Sequence, residues 1–460
     1  MLDRATETTV PDVDPGAIST LAGQVRGRVL RPREDGYEAT RRVWNGMIDR
    51  TPALIVRCAG VADVLRALEF ARRHDLIIAV RGGGHNVAGN AVCDGGLAID
   101  LSSMKGLRVD PHGRSAEAQG GLTWGEFDHE TQAFGLATTG GLITTTGIAG
   151  LTLGGGIGWL GRRFGLACDN LVSADVVTAD GRLVTASADE NADLFWGLHG
   201  GGGNFGIVTS FRYRLHPVTT VLAGLIAYPI AQARDVLRRY REAIAAAPDE
   251  LTAYAALLTL PDGPQVAAIL ACYSGPAERA ERVVAPLRSL GQPLADTVGP
   301  VPYTVLQSMY DAGSPPGERN YWKSGFLREL HDEAIDALIE HLAGAPLPHS
   351  NMVLEHLGGA IARVPEDDTA FVGRSAGFNA LIVAAWQDRS DDDTSIAWAR
   401  RAHQALAPHL HGGVYVNYLT GDPGDRVEAA YGAARYARLT ALKRKYDPDN
   451  VFRLNQNIRP

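Results

Sequence analysis

The 460-residue chain is predicted to be an α+β protein in which a glycine-rich first half precedes a second unit, a sheet covered by helices. Three observations lead there. Residues 53–101 read strand, amphipathic helix, strand, strand. Glycine clusters stand at 82–84, 154–156 and 200–203, within a stretch rich in strand signals. Past Pro217 the clusters stop, and the composition becomes rich in Ala and Leu with alternating strand and helix patterns. The length itself exceeds what one core normally serves.

Residues 1–40 read as a helical or irregular lead-in. Ala53 to Cys58 is an apolar strand, and Val61, Val64, Leu65, Leu68 and Ala71 recur at helical spacing. Leu76 to Val80 is a second buried strand running directly into Arg81-Gly82-Gly83-Gly84-His85-Asn86, and Gly96 to Leu101 closes the unit. Ala174 to Thr178 and Leu183 to Thr185 flank Asp180-Gly181, a favoured hairpin dipeptide. Ala186 to Phe195 is predicted as a short helix, and Thr209 to Leu215 as a strand. In the second unit, strands are predicted at Thr252–Leu260, Ala267–Tyr273 and Leu381–Trp386, with an amphipathic helix at Asp332–Leu342. A last helix carries Leu439, Leu442 and Tyr446 and stops at Asp447-Pro448.

Composition narrows the function classes. Hydrophobic residues make up 45% and charged residues 21%, which excludes wholesale disorder. A net charge of -8 without a basic stripe argues against nucleic acid or an anionic membrane as partner. No run approaches the roughly 20 apolar residues of a bilayer span. The acidic, polar start lacks an apolar signal core, so a cytoplasmic location is expected. Cys58, Cys93, Cys168 and Cys272 show no CxxC spacing, so neither a zinc ribbon nor a disulfide framework is indicated. His409-Leu-His411 resembles a metal pair but has no recognisable third ligand. No feature specifies an oligomeric state.

Gly156-Ile-Gly158-Trp-Leu-Gly161 matches the dinucleotide fingerprint GxGxxG in form. The fingerprint needs a strand before it, a long helix after it and an acid about 20 positions on. Here the next residues lack an apolar face, so a nicotinamide-binding reading fails on context. The three glycine clusters have two open readings: bulges and tight turns in a twisted sheet, or bare N–H groups cradling a pyrophosphate.

Several ordered motifs carry a more specific signal. Val80 to Asn86, Gly147-Ile-Ala-Gly150 with Gly154, Gly155 and Gly156, and Asp193-Leu-Phe-Trp196 through Asn204-Phe-Gly206-Ile207-Val208 resemble the FAD-linked oxidases of the berberine bridge enzyme type. These belong to the vanillyl-alcohol oxidase (p-cresol methylhydroxylase, PCMH) superfamily. Tyr415-Val-Asn417-Tyr418 and the tail from Lys445 through Asn455-Gln-Asn457-Ile458 are similar to theirs as well. The resemblance implies a PCMH-type FAD-binding domain of two subdomains, formed by residues 45–217 and the returning segment 411–460. It further implies an inserted substrate domain at 218–410.

The resemblance also implies that His85 bonds to the 8α-methyl of the flavin. A neutral imidazole is a competent nucleophile near pH 7. Many such proteins add a second bond from a cysteine that precedes the Gly-x-x-Gly segment. That position is Ile143 here, so FAD is expected to be linked through His85 only, with Cys168 an ordinary buried thiol. Arg81, Thr146, Asn204, Asn455 and Asn457 join the glycines as expected cofactor-binding residues.

Tyr418 matches the tyrosine such oxidases place near the flavin, and is the expected catalytic base. Its reference pKa near 10 calls for a neighbouring cation, for which Lys323 and Arg374 are candidates, or for the flavin itself to lower it. Glu355, His356 and Asp425 have no assigned task, and Phe378 and Trp386 are either pocket or core residues. The expected reaction is oxidation of a hydroxyl- or amine-bearing small molecule with O2 as acceptor. A flavin-dependent oxygenase or dehydrogenase, and a non-catalytic binding protein, remain open alternatives.

Thr146 falls three positions beyond Ile143, where the resemblance puts the loop facing the flavin C4a–N5 edge. Its hydroxyl is expected to tune reactivity with oxygen. Photoreduced Thr146→Val is therefore expected to reoxidise in O2 at a rate different from wild type; identical rates would remove Thr146 from the mechanism.

Overall fold

Three large sheets, with a small two-stranded pairing of His216–Pro217 and Leu136–Ala137, organise the chain in a computed structural model that describes residues 13–260, 263–342, 345, 349–422 and 427–460. In the first, Arg28–Leu30, Leu54–Arg57, Leu97–Asp100 and Ile78–Arg81 lie side by side in that order. The last three are parallel and joined through the helix Val61–Arg73. Their near-continuous apolar runs suit strands covered on both faces. The edge strand Arg28–Leu30 pairs antiparallel with Leu54–Arg57, where the sequence indicated only a lead-in. Three residues are too few for alternation to register.

The second sheet is antiparallel, with strands in the order Leu107–Asp110, Ser115–Gln119, Ile207–Arg214, Leu171–Val177 and Leu183–Ser187. Its hairpin turns through Asp180-Gly181 as expected, but over a longer loop, closed by Thr178 N–H donating to the Arg182 carbonyl at 2.9 Å. Register Val177↔Leu183 carries the second strand to Ser187. The following helix therefore spans Ala192–Leu198 rather than beginning near Ala186, and it is preceded by Asn191 in a left-handed conformation.

The third sheet runs Ala295–Asp296, Thr220–Pro229, Gln265–Tyr273, Leu251–Thr259, Asn351–His356, Phe378–Trp386 and Arg319–Leu327, with Gly299–Pro302 also paired to Thr220–Pro229. One face is covered by the helices Ala233–Ala245, Ala277–Arg288, Asp332–Leu342 and Asp392–Leu406. Ala255, Leu257, Met352, Leu354 and Ile382 pack into that helical layer. Their sequence neighbours point the other way, following the period of two. Phe378 and Trp386 belong to this core. Among the described residues no helix is long and apolar enough to cross a membrane.

The chain end returns to the first half. Leu439, Leu442 and Tyr446 of the helix Ala433–Tyr446 pack with Leu194, Trp196 and Phe205, and Phe452 packs with the first sheet. A buried ion pair fixes this return. Lys443 and Asp447, both fully buried, meet at 2.6 Å. Lys443 Nζ also donates to the carbonyls of Asn204 and Phe452, while the Asp447 carboxylate accepts from the N–H groups of Val451 and Phe452.

Both charges have several partners, so removing one strands the other without water. Lys443→Met is expected to destabilise the chain by about 3–5 kcal/mol, read as a lower denaturation midpoint. An unchanged midpoint would show that the pair does not anchor the tail.

Candidate active site

A cavity of about 1120 Å³ opens between the glycine-rich loops of the first half and the uncovered face of the third sheet. Its first wall is made where two chain segments cross. A Cβ on Gly83 would lie 2.4 Å from the Gly147 nitrogen, and one on Gly147 would lie 2.4 Å from the Gly83 nitrogen. Only hydrogens fit at both positions. Leu122 and Thr146 carbonyls accept from Ile148 and Trp124 N–H, tying the 143–148 loop to the start of the helix Trp124–Gln132. From the other side Asp311 accepts from the Thr144 N–H at 2.9 Å and from its hydroxyl at 2.5 Å.

His85 stands two residues past this crossing. Its Nε2 lies 3.0 Å from Thr145 Oγ1, and its ring stacks on Trp44 at 4.5 Å. The ring faces the cavity, and the enclosing protein pushes its pKa down to about 4, because burial disfavours the cation. His85 is thus held as a neutral imidazole at physiological pH. Trp44 meets Trp322 edge-on, and Trp322 meets Tyr418 edge-on, so an aromatic chain links the two ends of the site.

Tyr418 reaches the cavity from a short 3-10 turn in the C-terminal segment. Its hydroxyl donates to Glu355 Oε1 at 2.8 Å, and Asn379 Nδ2 donates to Glu355 Oε2 at 2.6 Å. Burial raises the Glu355 pKa to about 7. Burial, followed by the Glu355 charge, drives the Tyr418 pKa upward. The neighbour of Tyr418 is therefore an acid and not the cation the sequence suggested. Lys323 pairs with Asp422 at 3.0 Å, and Arg374 holds Asp169 through two 2.7 Å bonds. His356 lies beside the Arg162 guanidinium, and burial brings its pKa to about 3. Asp425 lies outside the described residues.

The expected cofactor residues divide into two groups. Gly82, Gly83, Gly84, His85, Asn86, Thr146, Gly147, Gly150, Gly206, Ile207, Val208 and Asn455 line the cavity. The N–H groups of Gly82 through Asn86 make no hydrogen bond with any described group, and Asn455 Oδ1 is buried without a partner. A bare cradle with unsatisfied donors fits a long anionic cofactor.

Gly154, Gly155 and Gly156 do not line the cavity. Their N–H groups are already taken by the Gly150 carbonyl, the Thr152 carbonyl and the Tyr415 hydroxyl, so the cradle reading fails for this triplet. Arg81 Nη1 donates to the Thr40 carbonyl. Asn204 clasps the tail, donating to the Gln456 carbonyl and accepting from Ile458 N–H. Asn457 Oδ1 is buried and unpartnered. The GxGxxG segment is a packing element: a Cβ on Gly158 would sit 1.7 Å from the Gly140 carbonyl oxygen.

Cys168 is fully buried outside the cavity lining, in a cluster with Ile157, Trp159 and Leu166. Ile143 does line the cavity, and no described lining residue is a cysteine. No group of three or more His, Cys, Asp or Glu able to hold a metal occurs among the described residues.

Comparison with known proteins gives this arrangement its family. Residues 52–187 match the model of an FAD binding domain, and residues 414–459 match the model described as berberine and berberine like. An FAD-linked oxidoreductase of Dictyostelium discoideum is 32% identical over 448 residues, covering 96% of this chain and 97% of that protein. The chain belongs to the berberine-like FAD-linked oxidoreductases. It is an enzyme whose cofactor is FAD. The (R)-6-hydroxynicotine oxidase of Paenarthrobacter nicotinovorans is 31% identical and is matched over 95% of this chain and 97% of its own length. The crystal structure of 6-hydroxy-D-nicotine oxidase from Arthrobacter nicotinovorans superposes with a TM-score of 0.87 at 29% identity, covering 95% of this chain and 98% of that one.

Sequence reasoning missed two features of this berberine-like site. Glu355 was noticed without a task, although an acid at a position alternating with Asn351 and Val353 is the available signal. Trp44 and Trp322, which brace His85 and Tyr418, lie in no motif.

Proposed function

We propose that this flavoenzyme is an oxidase of a hydroxyl- or amine-bearing small molecule, with FAD carried covalently on His85 alone. In this reading residues 45–217 and 411–460 hold the cofactor and 218–410 supply most of the substrate site. Gly82, Gly83, Gly84 and Asn86 cradle the cofactor with their N–H groups, and Asn455 serves it from the tail. The names of the relatives described as 6-hydroxynicotine oxidases support the reaction class. The four free, separated cysteines support a reducing cytoplasm.

The observation that carries the proposal is the Tyr418–Glu355 hydrogen bond at the cavity wall. When bound, FAD would supply the hydride acceptor and the route by which both electrons reach O2 as hydrogen peroxide. The chain must take the substrate proton. A free tyrosinate is disfavoured in this buried position, so Tyr418 accepts that proton as it passes its own to Glu355. A carboxylate with a pKa near 7 is matched to such work at neutral pH. Asn379 holds Glu355 in place, and the edge-on rings of Tyr415 and Trp322 hold Tyr418.

The relay needs ionised Glu355, so flavin reduction should rise with pH through about 7. Anaerobic stopped-flow is expected to show that rise in wild type and its loss in Glu355→Gln. Tyr418→Phe should slow reduction by about 10²–10⁴-fold with the cofactor still bound. A loss below about threefold, against the typical range for general-base assistance, would make Tyr418 a packing residue.

Attachment is tested separately. Proteolysis and mass spectrometry are expected to find one flavin-bearing peptide, containing His85. Cys168→Ala should keep acid-stable yellow colour, and His85→Ala should release its flavin on denaturation or fail to incorporate it. A flavin on Cys168, or colour retained in the acid pellet of His85→Ala, contradicts the assignment.

A further inference from the structure

The uncovered face of the third sheet is apolar in the middle and polar at its ends. Along Asn351–His356 the cavity-facing positions are Asn351, Val353 and Glu355. The register places Leu381 opposite Val353 and Val383 opposite Asn351. Ala256 stands opposite Val353 on the other side, and Leu258 and Tyr254 extend that apolar surface. Glu355 and Asn351 are four positions apart on one strand, so about 13 Å of wall separates them at roughly 3.3 Å per residue.

The far end holds a second acid. Glu318 is buried and lines the cavity. Its Oε1 accepts from His349 Nδ1 at 2.6 Å, and Oε2 has no hydrogen-bond partner among the described residues. The Glu318 carbonyl accepts from Gly46 N–H and Asn320 Nδ2, which fixes the backbone beneath it. Asn320 Oδ1 in turn accepts from the Trp322 indole at 3.1 Å, setting that ring against the wall. No described lining residue is a lysine, arginine or aspartate.

We infer that the cavity takes an elongated, mainly apolar, ring-bearing substrate whose oxidised carbon sits at Tyr418 and whose far end presents a hydroxyl or ammonium donor to Glu318. This inference rests on the oxidase reading above. An oligosaccharide carries hydroxyls along its whole length and would leave them unpaired against Val353, Leu381 and Val383. A carboxylate or phosphate would meet Glu318 and Glu355 with no lysine or arginine to offset them. A flat ring system matches the aliphatic wall and the lining Trp322, and its distal donor satisfies the open Glu318 oxygen. Glu318 is thus a specificity residue remote from the proton relay.

The test uses the flavin-loaded enzyme and four probes: biphenyl-4-methanol, 4′-hydroxybiphenyl-4-methanol, biphenyl-4-carboxylate and cellobiose. Dissociation constants are read anaerobically from the perturbation of the flavin spectrum. The hydroxylated alcohol is expected to bind at least tenfold tighter than the plain alcohol, with the carboxylate and cellobiose weakest. Glu318→Leu should reduce the tenfold preference to below twofold, while Glu318→Gln, which retains an acceptor, should keep at least threefold. General damage to the cavity would weaken both alcohols together and leave their ratio intact. A ratio unchanged in Glu318→Leu, or cellobiose binding tighter than the alcohols, overturns the inference. Reoxidation of photoreduced enzyme by O2 is measured alongside: fast reoxidation with no probe preference overturns the substrate class alone, and slow reoxidation overturns the oxidase reading.

Discussion

Contact between two backbones, at Gly83 and Gly147, sets the position of the chemistry. The approach is main chain against main chain, so no side chain can swing aside to relieve a larger residue. The crossing brings the end of the strand Ile78–Arg81 against the 141–147 loop and leaves His85 facing Thr145. It also explains why the N–H groups of Gly82 to Asn86 remain unpaired. The chain has left its sheet by then, and no described carbonyl of the segment it meets accepts from these N–H groups. Unsatisfied donors, a neutral imidazole and an open groove follow from one steric fact.

The Tyr418 end of the cavity depends on a longer-range registration. Tyr418 comes from the returning tail, Glu355 from the inserted sheet and His85 from the first half, so the site exists only when all three dock. Buried charges hold the docking. Arg374 reaches from the inserted unit to Asp169 with a bidentate grip. Arg162, next to the GxGxxG segment, donates to the carbonyls of Leu251 and Leu357 on the opposite unit. Gln307 donates both to Asp128 and to the Gly141 carbonyl at the mouth of the flavin-side loop. Each of these groups costs much to bury alone and little when paired, so the two units have one favourable arrangement.

Burial acts on the ionisable groups in opposite senses. It lowers the pKa of His85 and raises those of Glu355 and Tyr418, since in each case the neutral form is favoured. The same low-polarity enclosure thus yields a neutral imidazole at one end of the site and a carboxyl with a pKa near 7 at the other. The cysteines respond as buried thiols do. Cys168 is pushed well above its ordinary value, which makes it inert as a nucleophile in addition to its distance from the cavity lining.

The sequence by itself determined whatever depends on neighbours along the chain. Strand and helix periods located the parallel strands, the Asp180-Gly181 hairpin and the helix Asp332–Leu342, because burial of one face imposes those periods. The RGGGHN string and the ordered Gly-x-x-Gly motif singled out His85 and Ile143, both of which line the cavity, because each is read from its immediate neighbours along the chain. Only tertiary structure could decide the rest. Gly154 to Gly156 look like the triplet at Gly82, and they differ only in whether their N–H groups have found acceptors, one of which is the Tyr415 hydroxyl far along the chain. The partner of Tyr418 lies 63 residues away on another element. Whether that partner raises or lowers a tyrosine pKa depends on everything packed around it, and composition and spacing do not record that.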